Sequence, residues 1–277
     1  MRANAQIEHI RQILYSQKTL SGWRALCDIL DEVDNDAALF LSDYAAPLLD
    51  GWGWPQRLRV ARPAWIKEAM ETGFSPRLSL ASTASIEHTM TPTVRQMEAL
   101  AHCPDARGLR SLELRGRGLE PAHMQAMVNG DAFEGLTHLD LGFNALGNKG
   151  AAALATAHWP LVHLDLRDNL IEDRAMEAIA QAPWTQTLTS LNFYLNRIGA
   201  RGIQILATKA HLPALHTLCL ADNFIGPHGA EALANAPWLS GLIALDTEGC
   251  GLGQDGVAVL RAAPGLNFKL RRNLSPH

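Results

Sequence analysis

LTHLDLGFN at residues 136–144 recurs, with only small changes, as LVHLDLRDN at residues 161–169. The shared frame has leucine at its first, fourth and sixth positions and asparagine at its ninth. The frame occurs again, with some substitutions, at LTSLNFYLN (188–196), LHTLCLADN (215–223) and LIALDTEGC (242–250), and more weakly at LRSLELRGR (109–117) and GLNFKLRRN (265–273). Successive frames start 23 to 27 residues apart, which is typical of a solenoid of stacked repeats.

A helical segment follows each frame. In GNKGAAALATA (147–157) and GPHGAEALANA (226–236), the apolar residues have helical spacing. Tryptophans next to prolines close three of the units, and proline prevents the helix from continuing. The pairs are Trp159 with Pro160, Trp184 with Pro183, and Trp238 with Pro237. One unit is therefore a strand, a turn, a helix and a return segment, and it buries its apolar side only by stacking on a neighbour.

This frame resembles the leucine-rich repeats, whose pattern is L-x-x-L-x-L-x-x-N/C-x-L. The long helical halves with GAAALA and GAEALA are most similar to the ribonuclease-inhibitor-like and bacterial GALA-type repeats. The resemblance covers roughly residues 109 to 275 and departs from the pattern at Arg117, where asparagine is expected. It implies an α/β leucine-rich-repeat solenoid, or horseshoe, with a parallel concave sheet and outer helices. The apolar spacing of the residues before the repeats adds to this fold a small all-helical N-terminal cap.

The chain divides into three parts: residues 1–73, 74–108 and 109–277. The first part does not repeat, and its apolar spacing predicts four short helices, the last opening at Pro55. The second part is transitional or a degenerate first repeat, with a possible strand at RLSL (77–80) and a repeat-like helix at VRQMEALAHCP (94–104). The third part holds the repeats.

The N-terminal helices have two open interpretations. They form a cap that covers the first strand edge and the apolar end of the solenoid, or they form a separate binding module. An F-box, which GALA-type proteins can carry, is one version of such a module. An F-box usually opens with Leu-Pro, whereas LSGWRALCDILDEV (20–33) contains no proline.

Composition narrows the functional class. Hydrophobic residues make up 47% of the 277 residues and the formal net charge is −4, which argues against a nucleic-acid or membrane partner. The start, MRANAQIEHIRQIL, lacks the uninterrupted apolar core of a secretory signal. The four cysteines lack the paired spacing of a zinc site, and we interpret them as reduced thiols of a cytoplasmic protein.

Alternate residues of each strand should line the concave face, because successive strand side chains point to opposite sides. The predicted partner-binding residues are Glu113, Arg115, His138, Asp140, Phe143, His163, Asp165, Arg167, Asn192, Tyr194, Leu195, Asp246 and Glu248. The middle of this face is acidic, and its edge carries aromatic and arginine side chains of the kind that anchor protein interfaces. We therefore expect a protein partner with a basic patch.

The sequence as a whole predicts a non-enzymatic protein-interaction scaffold without a cofactor. One alternative is a regulatory adaptor, in which the N-terminal helices dock one protein and the repeats capture a second. A more distant alternative is a metal-dependent enzyme at the His138 and His163 patch, where Asp140 and Asp165 lie alongside. Against the enzyme, these side chains lie on an open sheet rather than in a pocket.

Overall fold

A computed structural model describes residues 2–16, 19–50, 59–86 and 90–266. Within these residues, seven strands form one parallel sheet in chain order. The strands are β1 (Thr83–Ser85), β2 (Ser111–Glu113), β3 (His138–Asp140), β4 (His163–Asp165), β5 (Ser190–Asn192), β6 (Thr217–Cys219) and β7 (Ala244–Asp246).

An α-helix follows every strand, which gives the repeated strand-and-helix unit of an α/β solenoid. The helices of the repeats are α5 (Val94–Ala101), α6 (Pro121–Asn129), α7 (Gly147–Leu154), α8 (Asp173–Ala180), α9 (Ala200–Lys209), α10 (Gly226–Ala234) and α11 (Gly253–Ala262). Four more precede them: α1 (Arg2–Ser16), α2 (Leu20–Asp31), α3 (Asn35–Asp50) and α4 (Pro63–Thr72). Among all the described residues, no helix is both long and apolar enough to cross a membrane.

Buried leucines set the orientation of the strands. Leu139, Leu164 and Leu191 are the central residues of β3, β4 and β5, and each is at most 2% exposed. Their neighbours along the strand are exposed or half-buried. Burying one such side chain contributes about 1.5 to 3 kcal/mol. The leucines therefore fix which residues face the core and which face solvent, as the repeated frame predicts.

A ladder of buried asparagines follows the strands. Asn144, Asn169, Asn196 and Asn223 are each at most 9% exposed. Each side chain forms hydrogen bonds with backbone groups of the unit that precedes it in the chain. The Asn196 Oδ1, for example, accepts from the backbone N–H groups of Asn169 and Ile171, at 3.2 and 3.0 Å. Its Nδ2 donates to the carbonyl of Leu166 at 2.9 Å. Polar backbone groups of a buried turn are thus satisfied by the next repeat.

The ladder also accounts for the two departures from asparagine. Cys250 occupies the position in the last described unit, and its thiol donates to the carbonyl of Leu220 at 3.0 Å. Arg117 occupies it in the unit of β2, where its backbone N–H donates to the Asn144 Oδ1 at 3.0 Å. Arg117 therefore receives the ladder bond that its own turn needs, although its side chain is not an asparagine.

The outer helices lie close to the core because small residues face it. A Cβ on Gly229 would collide with the side chain of Ile225. The three repeated tryptophans are buried, with exposed fractions of 4%, 1% and 6% for Trp159, Trp184 and Trp238. The Trp184 Nε1 donates to the carbonyl of Leu154 at 3.1 Å, which ties one unit to the preceding helix. The tryptophans that close these units therefore belong to the core.

Two predictions before the repeats were wrong. RLSL is not a strand, because Pro76–Leu80 forms a 3-10 helix and the strand β1 begins at Thr83. The fourth N-terminal helix begins at Pro63 rather than at Pro55, which lies outside the described residues. Proline occupies the first helical position there, where its missing N–H is not needed. The repeat-like helix is confirmed as α5, which starts with a capping box formed by Thr93 and Gln96.

The N-terminal helices contact the first strand and the segment beside it. Val60 forms a parallel bridge with Thr83 of β1. Arg77 is 8% exposed, and its guanidinium donates to the backbone carbonyls of Leu30 and Val33 and to the side chain of Asn35. One continuous set of buried apolar side chains runs from Ile10 in α1 to Leu266. These helices therefore share a core with the repeats.

Replacement of Asn196 tests the ladder. We expect Asn196→Ala to lower the free energy of unfolding by about 2 to 4 kcal/mol, because two buried N–H groups lose their acceptor. Asn129→Ala, at an exposed helix end, should change it by less than about 0.5 kcal/mol. Urea denaturation of both variants measures the difference. Equal losses of unfolding free energy in the two variants would show that the ladder does not stabilise the turn.

Candidate functional site: the open face of the sheet

The candidate site is the exposed side of the sheet, which we call the open face. Strand pairing places equivalent residues in two columns, as the sequence frame predicts. The first column contains Ser111, His138, His163, Ser190, Thr217 and Ala244. The second, central column contains Glu113, Asp140, Asp165, Asn192, Cys219 and Asp246. Lys269, the fifth residue of the weak frame at 265–273, corresponds to this central column but lies outside the described residues.

Most of the central column has an architectural task. In four units, the side-chain oxygen accepts from the backbone N–H two residues further on, and so caps the end of its strand. The acceptor and donor residues are Asp140 with Gly142 at 2.8 Å, Asp165 with Arg167 at 3.0 Å, Asn192 with Tyr194 at 2.9 Å, and Asp246 with Glu248 at 3.1 Å. The repeated aspartates therefore recur for a structural reason.

Arg167 and Asp165 form an ion pair on this face. The Arg167 Nε donates to the two Asp165 carboxylate oxygens at 3.0 and 2.8 Å, and its Nη2 donates to one of them. The stem of Arg167 crosses the neighbouring turn at Gly142, where a Cβ would lie 2.9 Å from the Arg167 Cγ. Glycine at position 142 thus makes room for the arginine, and the pair neutralises the carboxylate of Asp165.

The position of Asp140 on this face disfavours the charged form of its carboxyl group. Burial raises the pKa of Asp140, and the neighbouring Asp165 raises it further, while the Gly142 N–H and the nearby arginines act in the opposite direction. In the neighbouring ion pair, the hydrogen bond to the Asp165 carboxylate raises the pKa of Arg167. The two aspartates of the repeated motif therefore differ electrostatically, although their sequence contexts are alike.

His138 and His163 lie side by side in the first column. Their ring centroids are 4.4 Å apart, with an angle of 35° between the rings. The His138 Nδ1 is 2.9 Å from the hydroxyl of Thr137, and both histidines are exposed. Over the described ranges, no group of three or more His, Cys, Asp or Glu side chains is arranged to hold a metal ion. The repeated His-Leu-Asp motif thus has an architectural explanation in the stacked strands.

Large side chains lie at the turn edge of the open face, where the strands end. The guanidinium of Arg115 lies over the ring of Phe143, 4.5 Å from its centroid. Phe143 is 38% exposed and Leu195 is 42% exposed. The Tyr194 hydroxyl donates to the carboxylate of Asp222, which raises the pKa of Tyr194. Phe143 and Leu195 lie three residues beyond the ends of β3 and β5, at the boundary of the open face rather than within it.

The far end of the face is acidic. Asp246 and Glu248 are exposed, and the thiol of Cys219 lies 3.7 Å from the Asp246 carboxylate. Burial and the negative charge of Asp246 raise the pKa of Cys219 to about 11, so this thiol is protonated at neutral pH. The segments 188–196, 215–223 and 242–250 contain Asp222, Asp246 and Glu248 but no lysine or arginine.

Four side chains at the turn edge were not among the predicted site residues: the half-buried Asp168 and the exposed Leu170, Asp222 and Phe224. Asp168 and Asp222 immediately precede a ladder asparagine, as Phe143 and Leu195 do. That shared position in the frame is the signal that finds them. A polar groove of about 730 Å³ lies elsewhere, along α8 and α9, where Glu172, Glu177 and Arg201 are among its lining residues. It is not part of the open face.

Three stretches of the chain match the model of a family described as Leucine Rich repeat, at residues 136–155, 160–180 and 186–207. They coincide with the units of β3, β4 and β5. A search of curated proteins finds no match to the chain. The family match and the parallel sheet support a leucine-rich repeat protein. Such repeats are generally modules of protein–protein interaction and generally lack enzymatic activity.

The two aspartates of the motif should respond oppositely to amidation. A carboxyl whose pKa is raised on folding destabilises the protein increasingly as the pH rises through that pKa. Asp140→Asn should therefore raise the free energy of unfolding at pH 7, with the benefit disappearing at acidic pH. Asp165→Asn should lower it by about 1 kcal/mol or less, because it removes the ion pair with Arg167. Urea titrations at pH 7 and pH 3 distinguish the signs, and matching responses would contradict this view of the face.

Proposed function

We propose that the protein is a non-enzymatic scaffold that binds a protein partner on the open face, as the concave side of a horseshoe. The observation that carries the proposal is a continuous, exposed sheet face whose strands are locked in place by the leucines and the asparagine ladder. Rigid repeat surfaces of this kind suit the binding of large partners. Arg115, Phe143 and Tyr194 are interface-type side chains at its edge.

The partner we propose carries a basic patch. Glu113, Asp246 and Glu248 are exposed on the open face. Arg167 neutralises Asp165, whereas the strand-and-turn segments of β6 and β7, which carry Asp246 and Glu248, contain neither lysine nor arginine. Complementary charge steers a partner towards such a surface and selects against partners of the same charge.

We further propose that the repeats are of the ribonuclease-inhibitor-like or GALA type, and that the protein acts in the cytoplasm. The helical halves with GAAALA and GAEALA support the first point. The second is supported by the four cysteines, which are free thiols, three of them buried. Free thiols are usual in the reducing conditions of the cytoplasm.

The N-terminal helices are proposed to act as a cap. In support, Arg77 joins the α2–α3 connection to the segment before β1, and Val60 bridges to Thr83 on β1 itself. The second candidate function, a two-partner adaptor, is favoured by another observation. Tyr15, Leu39 and Phe40 are 62%, 41% and 59% exposed on α1 and α3, and these side chains could contact a second protein.

Charge reversal on the open face tests the scaffold function. We expect Asp246→Lys with Glu248→Lys to reduce capture of the partner from native cytoplasm by about tenfold or more, because the complementary charge is inverted. The control, Glu98→Lys with Asp255→Lys, makes the same charge change on the outer helices and should retain capture. Quantitative mass spectrometry of the captured proteins measures both. Equal capture by the two variants would exclude this part of the open face as the binding surface.

Removal of residues 1–73 distinguishes a cap from an independent module. If the helices are a cap, the shortened protein exposes apolar core surface and should aggregate or melt at a clearly lower temperature. Light scattering and calorimetry measure the two effects. A shortened chain that stays monomeric with an unchanged melting temperature would favour the adaptor instead.

A further inference from the structure

A single backbone conformation recurs immediately before the ladder position. Six consecutive units have a positive φ there, in the left-handed region. The residues are Gly116 (64°), Phe143 (58°), Asp168 (47°), Leu195 (53°), Asp222 (53°) and Gly249 (68°). Glycine adopts this conformation without strain, and it occupies the position in the two outer units. The four inner units carry side chains that make the same turn less favourable.

Phe143 and Leu195 are the most informative of these residues. A bulky side chain in the left-handed region is strained, and such residues tend to cluster at functional sites. Neither side chain is compensated by full burial, because they are 38% and 42% exposed. The turn itself accepts glycine, as the flanking units show. Exposed, bulky side chains thus occupy turns that glycine would form with less strain.

The four inner residues form a row, which we call the turn ridge: Phe143, Asp168, Leu195 and Asp222. Backbone hydrogen bonds join neighbouring turns, from Phe143 N to the Arg167 carbonyl at 2.8 Å, from Asp168 N to the Tyr194 carbonyl at 2.9 Å, and from Leu195 N to the Ala221 carbonyl at 3.0 Å. Adjacent ridge residues are thus spaced like strands of a sheet, about 4.8 Å apart. Apolar and acidic side chains alternate along the row.

We propose that the turn ridge binds one amphipathic helix of a protein partner, with large apolar residues at positions i and i+7 and a lysine or arginine at i+3 or i+4. This rests on the proposed function, because it specifies which element of the partner docks and where. Phe143 and Leu195 contact the two apolar residues, the Asp168 carboxylate between them attracts the basic residue, and the Asp222 carboxylate adds negative charge at the end of the row. The row itself contains neither lysine nor arginine.

The spacing selects a helix over an extended segment. Two units of the ridge span about 9.6 Å, and seven residues of an α-helix advance about 10.5 Å while returning to the same face. In a strand, residues on one face are about 6.7 or 13.4 Å apart, because alternate side chains point away. The half-step to Asp168, about 4.8 Å, matches three or four helical residues, which advance about 4.5 to 6 Å.

A second row of exposed apolar side chains widens the ridge. Leu170 and Phe224 lie two residues beyond Asp168 and Asp222, and they are 42% and 76% exposed. Leu170 also has a positive φ of 58°. Arg197 occupies the equivalent position between them and lies beside the groove that contains Glu172. The basic residues of the helix are therefore directed to the first row, where the carboxylates are.

A displayed library of single helices, randomised along one face, is the probe. The full-length protein is the target, and Phe143→Gly with Leu195→Gly is the counter-target. Because glycine is suited to a positive φ, this double variant should melt at the same temperature as the parent or higher. We expect enriched helices to have the stated apolar and basic spacing, and the affinity of a representative helix to fall at least about tenfold in the double variant.

Two further variants complete the experiment. Asp168→Asn with Asp222→Asn should weaken binding of the same helix and reduce its salt dependence. Ile243→Ala removes an apolar side chain that is 66% exposed outside the ridge, and it should leave the affinity within about twofold. Absence of enrichment over the counter-target, or enrichment of acidic helices, would overturn the proposal. So would unchanged affinity in both ridge variants.

The outcome is separable from that of the open-face experiment. If cytoplasmic capture is lost with Asp246→Lys and Glu248→Lys but retained with Phe143→Gly and Leu195→Gly, the ridge proposal fails and the scaffold function stands. If helices bind the ridge while the open-face charge reversal leaves capture intact, the ridge is a binding site and the open-face function fails.

Discussion

The buried side-chain amide that follows each strand is the interaction on which the rest of the molecule depends. The turn after a strand must leave the sheet within a few residues, and its own asparagine satisfies only part of its buried backbone groups. The amide of the next repeat supplies both a donor and an acceptor to that turn. With the turn held, the strands lie in register, and the residues beside the leucines form straight columns on the open face. Any surface the protein uses on that side inherits its geometry from this bond.

Some polar side chains of the open face cap the ends of strands, and others do not. Asp140, Asp165 and Asp246 cap the ends of their strands, and an asparagine does the same in β5. Negative charge in the centre of the sheet is therefore partly a consequence of strand termination. Side chains without that task, such as Arg115, Tyr194 and Glu248, are freer to differ between related surfaces. Specificity for a partner is expected to reside there and at the turns.

The sequence predicts the repeats well and the connections less well. A period of 23 to 27 residues with leucine at fixed offsets determines strand, face and column together, so the pairing of His138 with His163 follows from the letters alone. RLSL misled because two leucines separated by one residue satisfy a strand pattern, whereas Pro76 starts a 3-10 turn before them. The left-handed turns could not be predicted from the sequence either. Phe143 and Leu195 have no local preference for that conformation, which the neighbouring units impose on them.

For the candidate site, the sequence predicts which residues share the open face, and the structure adds how they are used. It places Asp165 in an ion pair and leaves Asp140 without one, a difference that comes from Arg167 and from the space above Gly142. The ladder bonds run from each repeat to the one before it, and this matters when a repeat is inserted into the chain. Each amide completes the turn of the repeat before it, so a duplicated unit inserted between two others arrives with the group its predecessor needs. Its own turn is completed by the unit it displaces. The unit of β2 follows the less regular unit of β1, in which Ala84 pairs with Leu112 in the place of a leucine, and there Arg117 occupies the position of the amide.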